Sequence, residues 1–241
     1  MLVTGSSGGI GGAVCRRFLA GGWAVTGLDV NEPPADAGWQ HRSCDLGEPG
    51  AARTAASEVC AERAVTCIVH AAAVQTVATA GQITADDWRR TLQVNLVAID
   101  EIVGACAESL RAAGGSVVVV GSVHATATTK GMAAYAASKS ALTGWVRAAA
   151  LDLAPHVRVN GVAPGAVRTP MLEAGLVRRP EDGSQQHALA TLADKTPLQL
   201  IAEPGAIAEL VWMLADPVVT GFVTATMLSA DGGALAQLAT E

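Results

Sequence analysis

Short runs of β-branched and aliphatic residues alternate along the chain with longer segments whose apolar positions recur at helical spacing. That alternation is the pattern of repeated βαβ units around a parallel sheet. The strand-like runs are LVT (2–4), AVTGLD (24–29), the weaker QHRSC (40–44), TCIVH (66–70), SVVVVGS (116–122), VRVNGVA (157–163) and TATMLS (224–229). Several are apolar on both faces, which puts them in a sheet covered by helices on either side. Helices are predicted near 9–21, 49–62, 84–112, 132–154 and 204–215, the last with a proline at its start. The stretch 170–203 departs from the pattern. It carries Pro170, Pro180, Gly183 and Pro197 between the sixth strand and the last helix, and a loop of that length in a compact domain reads as a lid or binding element.

At 241 residues the chain can bury one sizeable core, so a single domain over 1–241 is expected. Half of its residues are hydrophobic but only 3% are aromatic, so the core must be built from Ala, Val, Leu and Ile. The net charge of -6 and the lack of any basic block argue against a nucleic-acid partner. The pairs Arg16-Arg17, Arg89-Arg90 and Arg178-Arg179 read as solvated faces. Five scattered cysteines without a CxxC pair suggest no metal site and fit small buried hydrophobes in a reducing compartment. The N-terminus lacks signal-peptide character, and no apolar run approaches the ~18 residues of a membrane span. A cytoplasmic protein without membrane attachment is expected.

The segment TGSSGGIGG follows the first strand and opens the first helix. Glycines at 5, 9 and 11 permit a tight turn, close approach of a pyrophosphate to the backbone and close helix-on-strand packing. The helix then turns free amides and the positive end of its dipole toward the anion. Gly-rich strings also serve as plain turns, and it is the strand-to-helix context that gives this one meaning. Asp29 ends the second strand, where a carboxylate accepts hydrogen bonds from ribose hydroxyls and repels a 2'-phosphate. No Lys or Arg lies in the loop or beside Asp29, so NAD is favoured over NADP.

Tyr135 is the only tyrosine of the chain, and Lys139 follows it by four residues in YAASK. On a helix such a pair shares one face. A fixed cation near a phenol stabilises its anion, so the pair can exchange a proton with an alcohol or carbonyl. Ser122 ends the fifth strand, at the sheet edge where ligands of open α/β folds bind. Taken singly, a Tyr and Lys on one helix face mark an amphipathic surface and a strand-end Ser is common. The combination of Gly loop, Ser122, Tyr135 and Lys139 is what points to chemistry.

On these segments the chain resembles the short-chain dehydrogenase/reductase family over essentially its full length. The matches are TGSSGGIG, VNL with Asn95, GS with Ser122, YAASK, VRVNGVAPGAVRT and DGG at 231–233. The resemblance implies a Rossmann-type, doubly wound α/β fold of about seven parallel strands with helices on both faces. It also implies a homotetramer, or sometimes a dimer. It makes Tyr135 the acid/base, with Lys139 lowering its pKa and binding the nicotinamide ribose. Ser122 would polarise the substrate carbonyl, and Asn95 would hold a water linking Lys139 to solvent. Cofactor positions carried over are Gly5, Ser7, Gly9, Ile10, Gly11, Asp29, Asp45, Leu46, Ala71, Ala72, Tyr135, Lys139, Pro164, Gly165, Val167 and Thr169.

Two departures accompany the resemblance. HAAA (70–73) replaces the family's NNAG, so His70 or a water must satisfy backbone groups otherwise braced by Asn, and His70 reads as structural. The chain also begins almost on its first strand, so either the start lies upstream or that strand is short. The substrate pocket should include Gln75, Ser122, His124, Met132 and Tyr135, with the lid from Met171 to about Leu200. His124 either hydrogen-bonds a second substrate oxygen or closes a loop, and Arg178 and Arg179 either meet a carboxylate or face solvent. The expected activity is NAD-dependent interconversion of a secondary alcohol and a ketone on a small polar hydroxy or keto compound, such as a polyol, sugar, hydroxyketone or secondary-metabolite intermediate. The alternatives are a 3-ketoacyl carrier-protein reductase, which normally uses NADPH, and a non-catalytic NAD-binding sensor or scaffold.

Overall fold

The computed structural model describes residues 1–177 and 185–237. Seven parallel strands form one sheet: β1 (Leu2–Thr4), β2 (Thr26–Asp29), β3 (Gln40–Ser43), β4 (Cys67–His70), β5 (Ser116–Val120), β6 (Arg158–Pro164) and β7 (Met227–Ala230). Their order is β3-β2-β1-β4-β5-β6-β7. The chain winds outward from β1 in one direction and from β4 in the other. Its topological switch point, and so the crevice at the carboxyl ends of the strands, lies between β1 and β4.

The helices cover both faces because strand residues alternate between two cores. Leu2, Ile68, Val117, Val119 and Val159 turn to one side, against α2 (Ala51–Glu62), α4 (Ala98–Ala113) and α5 (Ala133–Leu153). Val3, Val69, Val118 and Val162 turn to the other, against α1 (Gly9–Ala20) and α8 (Pro204–Ala215). Small side chains such as Ala52, Ala56 and Ala98 are fully buried in the first core, as the low aromatic content requires.

Three of the eight aromatic residues meet at one corner. Phe18 of α1 is fully buried and packs edge-on against Trp23 and Trp212, with ring centroids 5.4 and 4.9 Å away. The Arg17 guanidinium lies 3.9 Å from the Trp212 ring centroid and its Nε donates to Glu209 at 2.8 Å.

Three segments differ from the sequence-based expectations. The helix predicted over 84–112 is α3 (Ala85–Leu92), a π-helical turn at Gln93–Val97 and α4 in succession. Thr84 starts it with a capping box: its Oγ1 accepts from the Asp87 amide, and the Asp87 carboxylate accepts from the Thr84 amide, each at 3.1 Å. The stretch expected to be a loop at 170–203 contains α6 (Pro170–Val177) and α7 (Gln185–Asp194). Its prolines mislead because Pro170 occupies a helix start, where a missing N–H costs nothing, and QQHALATLAD is rich in good helix formers. Arg178, Arg179, Pro180 and Gly183 lie outside the described residues. A short helix, α9 (Pro217–Thr220), was not anticipated. No helix among the described residues is long and apolar enough to cross a membrane.

Removing the Phe18 ring takes the shared partner from two indoles in a close-packed corner. Phe18→Ala should lower unfolding free energy by about 3–5 kcal/mol in urea titrations. A loss below about 1 kcal/mol would show that the corner does not support the α1–α8 face.

Candidate active site

The first βα turn is built by a contact that only glycine allows. Gly5 has φ 68°, and its amide donates to Leu28 O at 2.9 Å. A Cβ on Gly11 would lie 2.0 Å from Gly5 O, and one on Gly5 would lie 2.7 Å from the Ala72 amide nitrogen. Helix α1 is thereby drawn onto β1 and the turn is pressed against the end of β4. Asp29 ties the same loop from β2: Oδ2 accepts from the Ser7 amide at 3.0 Å and Oδ1 from the Asn31 amide at 2.9 Å. The Ser7 hydroxyl donates to Asn31 O at 2.7 Å. Arg42 on β3 is engaged by Glu58 and Glu62 of α2, so it does not neutralise Asp29. Further along the crevice Arg90 sits 3.4 Å from the Asp45 carboxylate.

On the other side of the switch point Tyr135 and Lys139 project from the first turns of α5. Tyr135 is buried, and desolvation pushes its phenol above the usual value while the hydrogen bond with Ser122 pulls it back. Lys139 is also buried, and desolvation brings its ammonium down to about 8. Its Nζ donates to Val120 O at 2.8 Å and lies 5.7 Å from the Tyr135 ring centroid. In this arrangement Ser122, rather than Lys139, offsets the burial of the phenol. Ser122 Oγ accepts from the His124 amide at 3.2 Å and so starts the turn at Val123–Ala125. The His124 ring stands edge-on to Tyr135, 5.5 Å between centroids, and its Nδ1 is 2.8 Å from Thr128 Oγ1.

Asn95 lies behind this wall, in the π-helical turn and fully buried. Its side chain braces three groups: Oδ1 accepts from the Val74 amide at 2.8 Å, and Nδ2 donates to Val74 O at 3.0 Å and Ser138 Oγ at 2.9 Å. Ser138 in turn donates to Tyr135 O at 2.7 Å. The polar chain thus runs from the β4 loop to the backbone of the tyrosine.

His70 takes the bracing position at the end of β4. Its Nδ1 is 2.8 Å from Thr4 Oγ1, which also accepts from the Ala72 amide at 3.2 Å. Burial and the Lys139 charge drive His70 down to about 3, so it is neutral at any working pH. Thr4 and His70 together replace the missing asparagines.

All of the sequence-chosen cofactor and pocket residues, together with Ser122, line one cavity of about 1050 Å³, while Asn95 does not reach it. The cavity also takes in Arg90 on α3, expected on a solvated face, and residues the sequence did not single out: Asn31 and Glu32 after β2, Lys130 in the β5–α5 loop and Lys195 just after α7. For Arg90, Lys130 and Lys195 no local motif exists; folding alone brings them there. Among the described residues no His, Cys, Asp or Glu cluster could hold a metal ion.

A doubly wound parallel sheet with a glycine cradle at its switch point and a Ser, Tyr and Lys at the same edge defines a cofactor-dependent oxidoreductase. Residues 1–177 match the family described as short chain dehydrogenase, and the chain belongs to that family, whose dehydrogenases act on CH-OH groups. It is similar to protein FixR of Bradyrhizobium diazoefficiens, 32% identical with 97% of this chain and 85% of that one covered. It is also similar to 1,2-dihydroxy-1,2-dihydronaphthalene dehydrogenase of a Ralstonia species, 30% identical with 96% and 95% covered. The solved structure of ligand-free aldohexose dehydrogenase from Thermoplasma acidophilum superposes with a TM-score of 0.94 at 27% identity, covering 100% of this chain and 95% of that one. The family generally uses a nicotinamide cofactor.

Lys139 gives the site a testable pH signature. Its folded-state value lies below the ordinary 10.5, so between about 8 and 10.5 the folded protein binds fewer protons than the unfolded chain. The burial penalty is full below about 8 and is relieved as pH rises through that window. Wild type should gain on the order of 1–3 kcal/mol relative to Lys139→Met between those limits, measured by urea unfolding at each pH. A constant difference would contradict the depressed value.

Proposed function

We propose that the protein is an NAD(H)-dependent oxidoreductase interconverting a secondary alcohol and a ketone on a small hydroxy or keto compound. The observation that carries the reading is the convergence of Tyr135, Ser122 and Lys139 on the cavity that also holds the glycine cradle and Asp29. The residues present fit a dinucleotide. Ser7, Gly8, Gly9, Ile10 and Gly11 line the cavity at the start of α1, where a helix N-terminus favours a pyrophosphate. Asp29 holds the loop with one contact per oxygen and keeps lone pairs for the ribose hydroxyls, while its charge disfavours a 2'-phosphate.

A nicotinamide cofactor bound there would supply the hydride chemistry, as acceptor in oxidation of the alcohol and as donor in reduction of the ketone. The chain's own groups handle the proton. In oxidation the Tyr135 phenolate accepts the alcohol proton at Oη; in reduction the phenol donates it. Ser122 Oγ, held by the His124 amide, donates to the substrate oxygen and fixes it beside Tyr135. Lys139 supplies a buried positive charge that favours the phenolate once the phenol ionises. Asn95 and Ser138 position the first turn of α5, and His70 stays neutral and structural.

Around this centre the reading takes 170–203 as the substrate lid of a single-domain, cytoplasmic enzyme that works as a homotetramer or dimer. Exposed Val218, Val219 and Phe222, between α8 and β7, support a contact between copies. The dihydrodiol dehydrogenase to which the chain is similar supports a secondary alcohol as substrate.

Tyr135→Phe tests the assignment. It should retain NADH binding, measured by nicotinamide fluorescence, and lose roughly a thousandfold in alcohol-dependent NAD reduction. Turnover equal to wild type would remove Tyr135 from the mechanism.

A further inference from the structure

The chain contains three lysines, Lys130, Lys139 and Lys195, among its 16 Lys and Arg residues. All three line the one cavity. Charge is also sorted along it. The described carboxylates in its wall, Asp29, Glu32 and Asp45, lie at or after the ends of β2 and β3, at the cofactor end, where Arg90 pairs with Asp45. From β5 onward the described charged residues in the wall are the three lysines alone. A chain with a net charge of -6 therefore presents a positive mouth at the substrate end of its cavity.

Lys139 is committed to Val120 O and the tyrosine. Lys130 and Lys195 are exposed, and among the described residues neither has a carboxylate within ion-pair distance. Both rise from anchored backbone. Lys130 precedes Gly131, whose carbonyl accepts from the Ala78 amide at 3.0 Å. Lys195 precedes buried Thr196, whose Oγ1 accepts from the Leu200 amide at 3.2 Å, and Leu198 N donates to Gly232 O at 3.1 Å. The same wall carries apolar Val77, Met132, Met171, Leu172, Leu192 and Leu235 among uncharged polar residues such as Thr128 and Thr129.

Resting on the oxidoreductase reading above, we infer that the substrate is a hydroxy acid. Its secondary hydroxyl meets Tyr135 and Ser122, an apolar carbon skeleton lies along the aliphatic wall, and its carboxylate is held at the mouth by Lys130 and Lys195. A lysine is a compact charge on a flexible stem, so two of them converge on one carboxylate without a preformed fork. His124, beside Tyr135, then faces the middle of the substrate.

The test uses matched pairs of cyclic and linear secondary hydroxy acids and their neutral primary amides, with the full chain and saturating NAD. The acids should exceed their amides in kcat/KM by about tenfold, the scale of two partly solvated ion pairs, and the advantage should shrink with added salt. Lys130→Met combined with Lys195→Met should bring the ratio near one, while a Lys→Arg pair keeps it above one. Calorimetric titration of the same acids and amides into the NADH complex reads the same preference without turnover. Equal binding and equal kcat/KM of acid and amide would overturn the inference and leave the oxidoreductase reading standing. Better use of a 3-ketoacyl coenzyme A thioester than of any free acid would overturn it too, since the lysines would then serve the carrier's phosphates. Failure of NADH to bind at all would instead sink the reading on which it rests.

Discussion

The Gly5–Gly11 contact is the constraint on which the site depends. With a virtual Cβ at Gly11 only 2.0 Å from Gly5 O, any side chain there would push α1 off β1 and open the turn that faces the crevice. The same turn is pressed against Ala71 and Ala72 at the end of β4, so the two central strands and the first helix share one junction. Ala71 and Ala72 are small enough to permit it, and Thr4 and His70 hold that end of β4 in place of the polar residues usual there. The substitution thus trades side-chain amides for a hydroxyl–imidazole pair at the same junction.

Opposite that junction the chemistry rests on balanced desolvation. Tyr135, Lys139 and His70 are all buried within one region, and each is displaced toward its neutral form. A neutral His70 matters for Lys139, because a second buried cation beside that ammonium would push it further toward its neutral form. Ser122 supplies the one hydrogen bond that counters the upward push on the phenol. The polar chain through Asn95 and Ser138 fixes the helix turn from behind, without entering the cavity.

Much of this was legible in the sequence, for identifiable reasons. Strands apolar on both faces announced a covered parallel sheet, and the order in which they pair follows from its winding. Tyr135 and Lys139 sit at helical spacing, and the glycine string lies between strand and helix, so local pattern carried both. The π-helical turn at Gln93–Val97 was not legible, because its residues read as ordinary helix and only the demands of Asn95, Val74 and Ser138 on one another reveal it. Helices α6 and α7 were hidden by prolines read as breakers. Lys130 and Lys195 stand 65 positions apart in the numbering with no motif around either, and only the fold brings them to the wall of one cavity.

The NAD(H) preference proposed for this crevice rests on Asp29. The most direct measurement is a parallel calorimetric titration of NADH and NADPH into the wild-type protein. NADH should bind at least about tenfold tighter than NADPH, the cost of bringing a 2'-phosphate against the Asp29 carboxylate. Equal affinity, or tighter binding of NADPH, would contradict it.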